Sequence, residues 1–93
     1  WMHTVADLVR ERPTYVTIDM DAFDPSLVPA TGTPEPGGLS WGQVNRLLRR
    51  VCEATNVVAF DVVELCPRAG EHASDMVAAK LVYRFLSEIY ERR

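Results

Sequence analysis

Cysteine is scarce in this sequence: Cys52 and Cys66 are the only two. They lie in unrelated contexts and match neither a disulfide framework nor the paired spacing of a zinc site, so two reduced, half-buried thiols are expected. Basic charge is also short. Against 13 Asp and Glu stand 10 Lys and Arg, for a net charge of -3. A nucleic-acid or anionic-membrane surface needs clustered cations to neutralise phosphate, and this balance argues against both. The one basic cluster, Arg46, Arg49 and Arg50, falls on an expected helix face and reads as solvated. Long apolar runs are missing too. Nothing approaches the roughly 20 residues that span a bilayer, and the N-terminus lacks the basic start and apolar core of a signal peptide. A soluble, cytoplasmic protein without a membrane partner is the expectation.

What remains is ordinary globular composition, 47% hydrophobic and 25% charged over 93 residues. That length allows at most one domain, or part of one. The first residue is Trp1 rather than methionine, and we expect an upstream portion to be absent.

Helical and strand patterns alternate along the chain. Residues 2–11 place Val5, Leu8 and Val9 at helical spacing and stop before Pro13. Residues 15–20 read as a short buried strand rich in β-branched side chains. Residues 24–38 carry four prolines and three glycines, too many for a regular element, so they form a long ordered loop or a disordered linker. Ser40 and Gln43 then fit a capping box, after which Trp41, Val44, Leu47, Leu48 and Val51 share one helix face. Residues 57–64 are a nearly continuous apolar run of the kind found in a parallel strand covered on both faces. Residues 75–90 place Met76, Ala79, Val82, Phe85, Leu86 and Ile89 in helical register.

This order predicts parallel strands joined by right-handed crossovers, with helices on both faces of an α/β sheet. Ligands in such sheets bind beyond the carboxyl ends of the strands. Both expected strands end in carboxylates, Asp19 and Asp21 at the first, Asp61 and Glu64 at the second. Residues two apart on a strand project to the same side, so Asp19 and Asp21 can approach one ion. Their hard oxygens suit Mn²⁺ or Mg²⁺ better than Zn²⁺. The pair alone is shared with glycosyltransferases and phosphatases.

The surrounding residues narrow the choice. Thr17-Ile18-Asp19-Met20-Asp21-Ala22-Phe23-Asp24-Pro25 and Pro29-Ala30-Thr31-Gly32-Thr33-Pro34-Glu35-Pro36-Gly37-Gly38-Leu39 closely resemble the signature of the arginase and agmatinase ureohydrolases: Ser or Thr near D-x-D-x-x-D-P, then P-x-T-G-T-P-x-x-G-G-L. Phe60-Asp61-Val62-Val63-Glu64-Leu65-Cys66-Pro67 is similar to the family's D-x-x-E-x-x-P segment. The resemblance runs from about Tyr15 through the last helix, and Val62 to Pro67 with Ala73 to Leu81 look more like agmatinase than arginase.

The resemblance implies the C-terminal part of a three-layer α/β/α parallel-sheet arginase-like fold, with residues 1–93 forming one portion of a single ureohydrolase domain. It implies a binuclear Mn²⁺ centre in which Asp19 bridges both ions and Asp21 binds one. Glu64 would receive the substrate guanidinium, and Thr33 would shape the pocket and fix Glu64. Asp24 and Asp61 would be structural, Asp24 ordering the loop backbone. The implied reaction is metal-assisted hydrolysis of agmatine, or of another guanidino compound, to urea and an amine. A homo-oligomer, trimer or hexamer, is implied for the intact protein. The family's other ligands, from Gly-Gly-Asp-His and Asp-x-His-x-Asp segments, have no counterpart in these 93 residues. Two carboxylates cannot hold two ions, so the chain alone is expected to be inactive. His3 reads as a surface residue, His72 as a loop residue on the catalytic side, and Trp41 and Phe60 as core.

Two rival readings stand beside this one. Ile18-Asp19-Met20-Asp21-Ala22-Phe23 also looks like the Mg²⁺-binding motif of Y-family DNA polymerases, but Asp24-Pro25, the Pro/Gly loop and the acidic balance do not fit that family. The other is a non-catalytic role as a degenerate subunit or interaction module.

Overall fold

The chain, in a computed structural model that describes residues 1–92, runs α1 (Met2–Leu8), β1 (Pro13–Asp19), a single 3-10 turn (Met20–Ala22), α2 (Trp41–Ala54), β2 (Asn56–Val63) and α3 (Ala73–Glu91). β1 and β2 pair in parallel, from Pro13 opposite Asn56 to Asp19 opposite Val63. The two-strand sheet with its helical crossover is the α/β arrangement expected from the alternation of patterns.

One irregularity decides which side chains face the core. Thr14 lies opposite Val57 but Tyr15 lies opposite Ala59, so Val58 is an extra residue. Such a bulge shifts every later side chain to the other face of its strand. Val57 and Phe60, three apart, therefore both join the core, and Val16, Ile18 and Val62 fall beside Phe60. Tyr15, Thr17 and Asp61 are left on the opposite face. That face is open among the described residues: Val58 is 56% exposed and Val63 39%. The apolar run of β2 is thus covered on one side rather than on both, and the described residues do not supply a second helical layer.

The capping box forms as its sequence indicates. Ser40 Oγ accepts from the Gln43 N–H at 3.2 Å, and Gln43 Oε1 accepts from the Ser40 N–H at 2.9 Å. Two orphan donors at the start of α2 are thereby satisfied. Val44, Leu48, Val51 and Cys52 are buried, with Trp41 and Leu47 packed at their margin. Cys52 lies deeper than half-buried, and burial raises its thiol pKa to about 11; Cys66 is exposed, and both are free.

The two terminal helices depart from the sequence expectation. α1 ends at Leu8, not near residue 11, because the chain turns through Glu11, whose φ of 60° is left-handed and whose N–H bonds to the Ala54 carbonyl at 2.6 Å. Its buried residue is Ala6, while Leu8 is 72% exposed. In α3 the buried positions are Ser74, Ala78, Leu81 and Phe85. Met76, expected inside, is 59% exposed. This helix is apolar on more than one stripe, so 3.6-residue periodicity alone could not choose the stripe that meets the sheet.

Phe85 anchors that contact, its ring edge-on to Phe60 with centroids 4.8 Å apart. Such aromatic pairs add to plain area burial. Phe85→Ala should cost about 3–5 kcal/mol, the usual range for truncating a buried Phe. Urea denaturation followed by circular dichroism reads this out, and a loss under about 1 kcal/mol would show that α3 is not held through Phe85.

Candidate metal and substrate site

Strand β1 stops at Asp19, and the next three residues tighten into the 3-10 turn. Asp19 is the N-cap of that turn, its Oδ1 accepting the Asp21 N–H at 3.0 Å. The two aspartates are therefore not successive same-side residues of one strand. A turn, not strand alternation, brings them together. Asp21 Oδ2 accepts a hydrogen bond from Thr33 Oγ1 at 2.7 Å.

The segment after Asp21 is an ordered loop. Asp24 accepts from the Ser26 N–H at 3.0 Å and from the Ser26 hydroxyl, and it reaches the Gly37 and Gly38 N–H groups at 3.0 and 3.3 Å. These donors, the Ser26 hydroxyl foremost, hold the Asp24 carboxyl below its ordinary pKa. Leu39 closes the loop by exchanging backbone hydrogen bonds with its start, donating to the Ala22 carbonyl at 2.8 Å and accepting from Asp24 N–H at 3.0 Å. Gly38 permits this closure, because a Cβ there would lie 2.6 Å from Asp24 N. The middle of the loop is pinned as well. Ala30 N–H donates to the buried Ser74 hydroxyl at 3.2 Å, and Cys66 N–H donates to the Ala30 carbonyl at 2.8 Å. Val28 and Ala30 are fully buried.

On β2, Asp61 turns toward β1. It accepts from Thr17 Oγ1 at 2.7 Å and from the Tyr15 hydroxyl, and these bonds, Thr17 first, lower its pKa. The same contact raises the pKa of Tyr15, which donates to Asp61. Two residues beyond the Thr17 bond stands Asp19, and three residues beyond Asp61 stands Glu64. Glu64 follows β2 directly, is exposed, and has a left-handed φ of 68°. For a residue other than glycine, asparagine or aspartate this is an uncommon conformation, and such outliers cluster at functional sites. Since Asp19 pairs with Val63, Glu64 leaves the sheet at the end where Asp19 and Asp21 lie.

Thr33 was expected to fix Glu64, but its hydroxyl bonds to Asp21 instead. His72 is exposed and precedes α3 without a side-chain cap bond, while Glu71 Oε1 accepts the Ser74 N–H at 3.0 Å. His3 is exposed, with Nδ1 2.6 Å from an Arg50 nitrogen. Trp41 stacks on Phe23 at 6.5 Å, and Phe60 is in the core cluster. Ser74 was not legible as a site residue. Nothing in its helix position signals a hydroxyl that reaches a loop 44 residues earlier.

Among the described residues no three His, Cys, Asp or Glu side chains gather closely enough to hold a metal ion. Asp19 and Asp21 nevertheless fit as part of a ligand set. Each keeps one carboxylate oxygen without a hydrogen bond among the described residues, and hard anionic oxygens suit Mn²⁺ or Mg²⁺.

Comparison with known proteins places this geometry. The model of the arginase family matches residues 1–87. The chain is 54% identical over 69 residues to the N(1)-aminopropylagmatine ureohydrolase of Thermus thermophilus, covering 74% of this chain and 23% of that protein. It is 38% identical over 88 residues to the agmatinase of Chromobacterium violaceum, covering 85% of this chain and 27% of that one. Its fold superposes on proclavaminate amidino hydrolase from Streptomyces clavuligerus with a TM-score of 0.84 at 36% identity, over 99% of this chain and 32% of the other. The chain thus spans less than a third of the length of these relatives. With the family model matching residues 1–87 and the fold superposing over 99% of its length, the chain belongs to the arginase family, on its agmatinase-like side.

Proposed function

We propose that this chain supplies part of a binuclear manganese site that hydrolyses the guanidino group of agmatine to urea and putrescine. The observation that carries the reading is the common sheet end at which the Asp19–Asp21 turn, the Thr33 loop and the left-handed Glu64 all sit. Asp19 and Asp21 would hold manganese through the carboxylate oxygens that make no hydrogen bond among the described residues. Bound manganese supplies the Lewis acidity that makes a water a competent nucleophile near neutral pH.

The other steps belong to the chain's own groups. Glu64 meets the guanidinium, for which a carboxylate offers a planar, bidentate and charge-assisted partner. A cation arriving at this carboxylate-rich end also relieves repulsion among Asp19, Asp21 and Glu64. Asp24 keeps the loop closed, and the Asp61–Thr17 bond holds the two strand ends in register. The remaining family ligands have no counterpart in this sequence, so the complete centre needs residues beyond these 93.

A second substrate, N(1)-aminopropylagmatine, is favoured by the 54% identity to the Thermus thermophilus protein. It carries the same guanidino group, and Glu64 serves both. The exposed Cys66 and unpaired Cys52 suit a reducing compartment, and we place the protein in the cytoplasm as part of a homo-oligomer. No helix among the described residues is long and apolar enough to cross a membrane.

Three measurements test the proposal. Urea release from agmatine should require Mn²⁺ and should come from a polypeptide in which these residues are joined to the remaining ligands; robust turnover by the 93-residue chain alone contradicts it. In that longer polypeptide, Asp19→Asn should lose more bound manganese than Asp21→Asn, because the family resemblance implies that Asp19 would serve both ions and Asp21 only one. Full metal content in both variants would remove them from the ligand set. Glu64→Gln should keep its manganese while kcat/KM for agmatine drops at least about a hundredfold, the scale of one lost charge-assisted pair. Unchanged kinetics in a folded, metal-replete variant would relegate Glu64 to a turn residue.

A further inference from the structure

We infer that Thr33 is a positioning residue for Asp21, its hydroxyl orienting that carboxylate for metal rather than meeting the substrate. The inference rests on the reading of Asp19 and Asp21 as ligands and deepens it.

The two aspartates are oriented by different kinds of donor. Asp19 Oδ1 is held by a backbone N–H, that of Asp21, which no side-chain substitution removes. Asp21 sits inside a 3-10 turn of three residues, too short to immobilise a side chain by helix packing. Among the described residues the single hydrogen bond on its carboxylate comes from Thr33 Oγ1, at 2.7 Å. An ionised carboxylate only accepts, so the threonine hydroxyl must donate, and its lone pairs are then turned away from Asp21. Without that bond the side chain would explore several rotamers before an ion arrived.

Thr33 can act this way because its loop is not free. Asp24 clamps the far end through Gly37 and Gly38, and Ala30 is tied to both Ser74 of α3 and Cys66 after β2. The hydroxyl therefore reports the position of α3 and of the β2 exit to a carboxylate at the end of β1. Hydrogen bonds that orient a ligating carboxylate commonly change metal affinity 10–100-fold. A substrate-facing threonine would leave metal affinity untouched. The two roles separate cleanly.

The test is a Mn²⁺ titration of the longer polypeptide in which these residues are joined to the remaining ligands, with free ion followed by electron paramagnetic resonance and the bound site by broadening of the amide signals of residues 19–22. Thr33→Val should weaken Mn²⁺ binding by about tenfold with no change in melting temperature, and Thr33→Ser, which keeps the donor, should restore it. Equal affinity in the valine variant and the unmodified polypeptide overturns the inference while leaving the ligand assignment standing. A weakened valine variant that serine fails to rescue also overturns it, since the hydroxyl would not be the cause. If the unmodified longer polypeptide broadens none of these signals, the ligand reading of Asp19 and Asp21 falls and takes this inference with it.

Discussion

Parallel pairing of β1 with β2, offset by the single extra residue Val58, is the constraint on which the rest of the structure depends. Without the offset Val57 and Phe60 could not both face α3 and the core. With it, Asp61 lies beside Thr17 on the other face and bonds to it at 2.7 Å. The bond joins the strands just before their carboxyl ends. Asp19 and Glu64 then emerge together, one from each strand. Core packing and site assembly thus follow from the same register, which couples the hydrophobic contribution of Phe60 and Phe85 to the placement of charged groups they never touch.

The loop of residues 24–38 brings the Thr33 hydroxyl to Asp21 at that sheet end. Its composition of proline and glycine limits regular structure, but its order comes from polar satisfaction. One carboxylate, Asp24, receives three backbone N–H groups and a hydroxyl, enough to keep it ionised below the usual carboxylate range. Val28 and Ala30 add buried contacts that a linker would not have. The result is a well-tied support for the Thr33 hydroxyl that bonds to Asp21.

The open sheet face has a different character. Tyr15 and Thr17 satisfy Asp61 there, while Val58 and Val63 stay largely exposed. Relatives that share this fold are more than three times as long. Exposed apolar side chains also appear on α3, where Met76 and Tyr83 face outward.

By itself the sequence determined the element types, the Ser40–Gln43 cap, the inward face of α2 and the family, because each rests on local spacing or on a long run of Asp, Pro and Gly at set intervals. It also located the carboxylates at strand ends. Only the tertiary structure decided the rest. The bulge at Val58 is invisible in an unbroken apolar run, since Val-Val-Ala-Phe reads the same with either register. The buried stripe of α3 depends on where the sheet lies, which periodicity does not encode. Ser74 and Thr33 act on partners 44 and 12 residues away, Ala30 and Asp21, and a hydroxyl's partner is set by where the fold brings acceptor and donor within reach. The turn that places Asp19 against Asp21 likewise replaced the strand alternation expected for D-x-D, because the Asp19 carboxylate captures the Asp21 N–H and ends the strand.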